Sequence, residues 1–167
     1  MAPLPAKPEA LLWLKDRMQQ HDLSVSVQLE SVSVVVPHYH VVLLYKSIRE
    51  LLMNVVKHAG VKTATIAMGM QAGHTLRITV KDEGRGFRMP TSDALKPERH
   101  FGLRSVGERI QDLGGKLRIE SDIGKGCTVT ITVPLQYTEA DRAAETILKD
   151  RVITVQHDPH QQTLPLL

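Results

Sequence analysis

Cysteine is nearly absent from this chain. A single Cys127 in 167 residues excludes an internal disulfide and leaves no thiol cluster for zinc, which fits a reducing compartment best. No apolar run approaches the roughly 20 residues needed to span a bilayer, and the proline-punctuated start lacks the apolar region of a signal peptide; the chain is expected to be soluble. Charge of one sign is also scarce. Lys and Arg outnumber Asp and Glu only 21 to 18, without basic blocks, so no nucleic-acid groove is indicated. Repeats and low-complexity tracts are missing as well. What is present is ordinary: 42% hydrophobic and 23% charged residues describe a globular chain, and at about 150 residues per domain the length predicts one domain with a tail.

Pro3, Pro5 and Pro8 keep residues 1–8 extended. Leu11, Leu12, Leu14 and Met18 then recur at spacings that suit a short helix from Glu9 to Gln20. Leu23 to Leu29 alternates apolar and polar, the period of a half-buried strand, and Pro37 closes the segment after Ser31 to Val36. From His38 to Ala59 the apolar residues Val41, Tyr45, Ile48, Leu52, Val55 and Ala59 step by fours and threes, one face of a long helix that Gly60 stops. Two strands, Thr63 to Met70 and Thr75 to Lys81, meet through Ala72-Gly73. Asp82 to His100 reads as a long loop of Gly, Pro and charge, a length usual for functional loops. A helix over Leu103 to Leu113 ends at Gly114-Gly115, and strands Lys116 to Ser121 and Cys127 to Val133 flank the turn Asp122-Ile-Gly-Lys-Gly126. Residues 138–150 suit a helix, and 156–167 read as a fraying tail. The element order predicts an α/β two-layer sandwich, a mixed sheet with helices on one face.

Four constellations carry chemistry. Glu50, Asn54 and His58 follow one another at i, i+4, with Lys57 three after Asn54, so they share a stripe; Glu50 lies about 200° around the helix from Ile48. On spacing alone, a solvated polar face explains them as well. Asp82 has the strand parity of Leu76, Ile78 and Val80, which aims a carboxylate toward the core side at the sheet's end. Such a group needs a hydrogen-bond donor, and the exocyclic amine of a base is a suitable one. Gly84 and Gly86 let the backbone turn sharply there, although a lone Asp-x-Gly-x-Gly also suits an ordinary turn. Gly102 at the mouth of a helix leaves N–H groups free for phosphate, with Arg88, Lys96, Arg99 and His100 supplying positive charge nearby. Gly124-Lys-Gly126-Cys127-Thr128 lacks the spacing of a P-loop and reads as a tight turn. The pair His38 and His40 has no third ligand in view, which favours a structural or surface role over metal.

Together and in this order, these pieces resemble the N, G1 and G2 boxes of the GHKL ATPase superfamily. The N box is Arg49 to Ala59, G1 is Asp82 to Gly86, and G2 is Gly102-Leu-Arg-Ser-Val-Gly-Glu-Arg109. The Gly-Leu-x-x-x-x-Glu-Arg form and the short loop resemble the catalytic domains of sensor histidine kinases of the nitrate-sensor and DesK-like group, which pair with LuxR-type response regulators. The resemblance covers residues 9–136, with 1–8 as an extended lead and 137–167 as a C-terminal extension.

That resemblance implies a Bergerat-type ATP-binding fold, ATP and Mg²⁺ as ligands, and a cytoplasmic location. Asn54 would ligate Mg²⁺ through its side-chain oxygen, and Glu50 would polarise the nucleophile as the catalytic residue. Lys57 and His58 would lie at the phosphates, Asp82 would accept from the adenine amine, and Gly84 and Gly86 would make room for the nucleotide. Gly102 and the Leu103 N–H would sit against the phosphates, and Phe87 to His100 would form the ATP lid. The family commonly has Thr where Cys127 stands, a weaker hydrogen-bonding partner that lowers the expected nucleotide affinity unless Thr128 or water substitutes. The activity implied is that of a protein histidine kinase whose phosphoacceptor histidine lies on a separate dimerisation domain, in cis or in trans. The rivals are an anti-sigma-type serine kinase on the same fold and a nucleotide-binding or interaction module without phosphotransfer.

Overall fold

Alternation and helical periodicity translate directly into architecture. The computed structural model describes residues 9–30, 36–72, 74–88 and 101–135. It contains α1 (Glu9–Gln19), β1 (Ser24–Leu29), α2 (His38–Asn54) continued by a π-helical turn (Val55–Ala59), β2 (Thr63–Gln71), β3 (Thr75–Asp82), α3 (Phe101–Asp112), β4 (Lys116–Ser121) and β5 (Cys127–Pro134). The expected segments 1–8, 138–150 and 156–167 lie outside the described residues, as do 31–35 and residues 89–100 of the expected lid.

The strands form one mixed sheet in the order β1-β2-β3-β5-β4. β1 runs parallel to β2, and every other pair is antiparallel. A parallel pair requires a crossover, which α2 supplies. Alternation sends Val25, Ile66, Ile78, Val80, Val129 and Ile131 to one buried face, while Ser24, Thr63, Arg77, Lys81 and Arg118 face solvent on the other. Leu11, Leu14 and Met18 of α1, Ile48, Leu51 and Leu52 of α2, and Val106 and Ile110 of α3 complete the same core. The two-layer sandwich with helices on one face is therefore the observed fold.

Three details depart from the expectation. Leu12 is 48% exposed, because the buried stripe of α1 runs through Leu11, Leu14 and Met18; its neighbour Trp13 also faces outward and lies against Tyr45 with ring centroids 5.8 Å apart. The Arg17 guanidinium caps the Trp13 ring at 5.3 Å, a cation–π contact within α1. The long helix is not α-helical to its end: after Asn54 it widens into the π turn before Gly60 closes it in the left-handed conformation. That widening rotates Lys57 and His58 away from the regular i, i+4 stripe begun by Glu50 and Asn54. Finally, α3 begins at Phe101, which places Gly102 within the first turn.

The face assignment has a direct test. Leu52→Ala, at a fully buried position, is expected to lower unfolding free energy by about 2–5 kcal/mol. Leu12→Ala should change it by no more than about 0.5 kcal/mol. Urea denaturation of both variants reads the difference.

Candidate functional site

Glu50 and Asn54 sit one turn apart on α2, both half-buried, and α3 begins directly over them. A Cβ built on Gly102 would lie 2.8 Å from Glu50 Oε1 and 3.2 Å from Asn54 Oδ1. A side chain at 102 would have to displace the Glu50 carboxylate. The first N–H groups of a helix have no partner within it, so this contact brings together a carboxylate, a side-chain amide and the positive end of a helix. Leu103 is half-buried in the same turn, whereas Lys57 and His58 are exposed on the π turn.

The second contact joins the π turn to the loop after β3. The Arg85 N–H donates to the Ala59 carbonyl at 2.8 Å, and a Cβ on Gly84 would lie 2.4 Å from that same oxygen. Gly86, at φ +57°, abuts the Asp122 carbonyl, which its Cβ would meet at 2.0 Å. The missing side chains of Gly84 and Gly86 thus serve packing against protein on both sides. At both positions the atom that a side chain would meet first is a backbone oxygen.

Asp82 ends β3 and is 8% exposed, the inward parity expected from its sequence. Its Oδ1 accepts the Gly84 N–H at 2.9 Å; no hydrogen bond to Oδ2 is made among the described residues. Cys127 is its register partner on β5. Burial, then the Asp82 carboxylate, pushes the Cys127 thiol up to about 11, against an opposing hydrogen bond with Ser121. The thiol is therefore protonated at neutral pH. Thr128 pairs with Lys81 and Glu120 and points to the opposite sheet face, so the structure does not bring it to Asp82. His100 lies outside the described residues.

The contacts thus connect Gly102 with Glu50 and Asn54 at the C-terminal end of α2, and Gly84, which donates to Asp82, with Ala59 at the end of the π turn that continues it. Among the described residues no group of three His, Cys, Asp or Glu side chains forms a metal cluster. The Asn54 Oδ1 beside Gly102 is a hard oxygen donor, which would suit Mg²⁺ rather than a transition metal. A hollow of about 340 Å³ opens on the outer sheet face beside Glu30, Gly69 and Arg77, but it shares no residue with this site. No described helix is long and apolar enough to cross a membrane.

Ser121 was not foreseen as part of the site. It contacts Cys127 and accepts from the Phe87 N–H at 2.9 Å. Its signal was available: Leu117, Ile119 and Ser121 share the inward parity of β4, so a polar residue occupies the last inward place before a glycine-rich turn.

The chain is similar to proteins of known family. The model of the family described as histidine kinase-, DNA gyrase B-, and HSP90-like ATPase matches residues 40–137. Over 92 residues, 55% of this chain, the sequence is 37% identical to the sensor histidine kinase YdfH of Bacillus subtilis and 34% identical to its sensor histidine kinase LiaS. The chain spans only 22% and 24% of those proteins' lengths. Among solved structures, the blue-light activated histidine kinase EL346 of Erythrobacter litoralis superposes with a TM-score of 0.65 at 27% identity, over 78% of this chain and 42% of that one.

The Cys127 environment predicts a pH profile. A raised thiol pKa stabilises the fold below the ordinary thiol pKa of about 8.5 and loses that contribution as pH climbs toward 11. Alkylation of the native chain by iodoacetamide should be slower than that of the urea-unfolded chain near pH 8, and should still be rising past pH 8.5. Asp82→Asn, which keeps an acceptor for Gly84, should shift the profile to lower pH. Equal native and unfolded rates would refute the assigned environment.

Proposed function

The chain belongs to the family of histidine kinase-, DNA gyrase B- and HSP90-like ATPases, and from that premise we propose that residues 9–136 are the Mg·ATP-binding catalytic domain of a two-component sensor histidine kinase. The domain delivers the γ-phosphate to a histidine on a separate dimerisation domain, in cis or in trans, for relay to a LuxR-type response regulator, as in the nitrate-sensor and DesK-like group. The observation that carries this reading is the seating of Gly102 on Glu50 and Asn54: it joins the N and G2 boxes, far apart in sequence, at one helix mouth.

Each role follows from what its group can do where it stands. Asp82, nearly buried with Oδ1 occupied by Gly84, offers Oδ2 to the exocyclic amine of adenine; a guanine, with a carbonyl at that position, would meet lone pair with lone pair. The Leu103 N–H and its neighbours in the first turn of α3 hold the phosphates. Asn54 Oδ1 is the protein ligand for Mg²⁺, which when bound neutralises phosphate charge. Lys57 and His58 face solvent on the π turn, where the Lys57 ammonium adds mobile positive charge for the phosphates. Glu50 polarises the attacking imidazole of the partner domain; the bond formed is N–P on that ring, and the bond broken is the one between the γ-phosphorus and ADP. Such chemistry is dominated by positioning, a demand that the location of Glu50 and Asn54 on α2 and of Asp82 on β3 supports.

Calorimetric titration of the chain tests this. ADP and ATP are expected to bind saturably and more tightly with Mg²⁺, and GTP not at all. Asp82→Asn should weaken adenine nucleotides by about 1–3 kcal/mol. Asn54→Ala should abolish the Mg²⁺ dependence while adenosine binding persists. Glu50→Gln should keep nucleotide affinity and lose phosphorylation of a supplied dimerisation domain. No adenine-specific binding by a folded chain would overturn the proposal.

A further inference from the structure

The turn between β4 and β5 shows more order than a connector needs. Asp82, Cys127 and Ser121 occupy neighbouring register positions on β3, β5 and β4 with the same inward parity, so they form a polar row across the end of the sheet. Ser121 is half-buried in that row. Its hydroxyl accepts the Phe87 N–H at 2.9 Å and donates to the Gly126 carbonyl at 2.8 Å. A second link runs the other way, from the Gly124 N–H to the Arg85 carbonyl at 2.7 Å. Gly126 in turn lies so close to Asp82 that a Cβ there would meet the Asp82 carbonyl oxygen at 2.1 Å.

These contacts make a closed circuit. The β3 strand delivers Asp82, the loop leaves past Arg85 and Phe87, and the β4–β5 turn returns from Ser121 to Gly126, back against Asp82. One side chain, the Ser121 hydroxyl, bridges both halves of that circuit. Cutting the bridge leaves the sheet pairing in place, because the β3, β5 and β4 ladders do not use side chains. It loosens the loop after Asp82 at Phe87, while the backbone bonds at Arg85 still hold its start.

We propose that Ser121 is a positioning residue of the nucleotide site: by joining Phe87 to Gly126, its hydroxyl fixes the turn after β3 and with it the aim of the Asp82 carboxylate at the base. This rests on the nucleotide-site reading above. Ser121 does not touch the ligand; it acts through the Asp82–Phe87 turn. A hydroxyl is required, because the joint needs one atom that both accepts from an amide and donates to a carbonyl.

The test compares the wild-type chain with Ser121→Ala and Ser121→Thr, measuring ADP and adenosine affinity by calorimetry, Phe87 amide hydrogen exchange by NMR, and thermal unfolding. The alanine variant is expected to lose about 3- to 10-fold in affinity, equally for ADP and adenosine, and to exchange the Phe87 amide faster. The threonine variant, which keeps the hydroxyl, should restore both. Should Ser121→Ala fail to fold, Ser121→Cys, of similar size and weaker hydrogen bonding, is read in its place. Wild-type affinity in the alanine variant, or equal impairment of folded Ala and Thr variants, overturns the assignment. Loss confined to ADP places the effect at the phosphates and overturns the link to Asp82. A wild-type chain that binds no adenine nucleotide overturns the functional reading itself, and this assignment with it.

Discussion

One carbonyl, that of Ala59, seats the loop on which the candidate site depends. The last carbonyls of a helix have no donor within it, and here the π turn and the left-handed Gly60 end α2 so that Ala59 receives the Arg85 N–H. Gly84 must be side-chain-free to let that bond form. Through this contact the helix that carries Glu50 and Asn54 and the strand that carries Asp82 become one rigid unit. Without it, the two ends of the site would be referenced to each other only through the apolar core.

The sheet ends in polarity where its interior is wholly apolar. Immediately inward of Asp82, Cys127 and Ser121 stand Val80, Val129 and Ile119, so three strands change character at the same level. A near-buried carboxylate beside a thiol held protonated does little for stability. Local conflict of this kind is typical of functional sites, where other interactions offset what the site costs. The Gly84 N–H, the Ser121 hydroxyl and the backbone of the β4–β5 turn are the groups that hold this row in place.

Most of the fold was legible because its signals are local. Alternation placed β3 and β5 within a residue of their observed ends, and the parity of Asp82 with Val80 foretold its burial. The N-box stripe was legible as spacing, though spacing alone did not separate a site from a solvated face; the contact with Gly102 did. What escaped was non-local or sub-helical. Leu12 looked like a core leucine because a short helix with adjacent apolar residues does not declare which of them faces inward. The π turn leaves no simple sequence mark, so the positions of Lys57 and His58 were read on the wrong helical period. The roles of Gly86 and Ser121 depend on a meeting between segments more than 30 residues apart in sequence, which no periodicity encodes.

The sheet order carries a consequence for chain length. β3 pairs with β5 from Thr75 with Pro134 to Asp82 with Cys127, whereas the connection after β3 leads to α3 and β4. The register of β3 is therefore shared between β2, its neighbour in the chain, and β5, a strand that this connection does not directly join. Lengthening a connection of this kind costs only the slow, logarithmic growth of closure entropy, about 0.6 kcal/mol for a doubling. A change of length in a connection of this kind leaves the strands that pair with β3 in place, so chains sharing the same sheet are free to diverge there while the geometry around Asp82 stays constant.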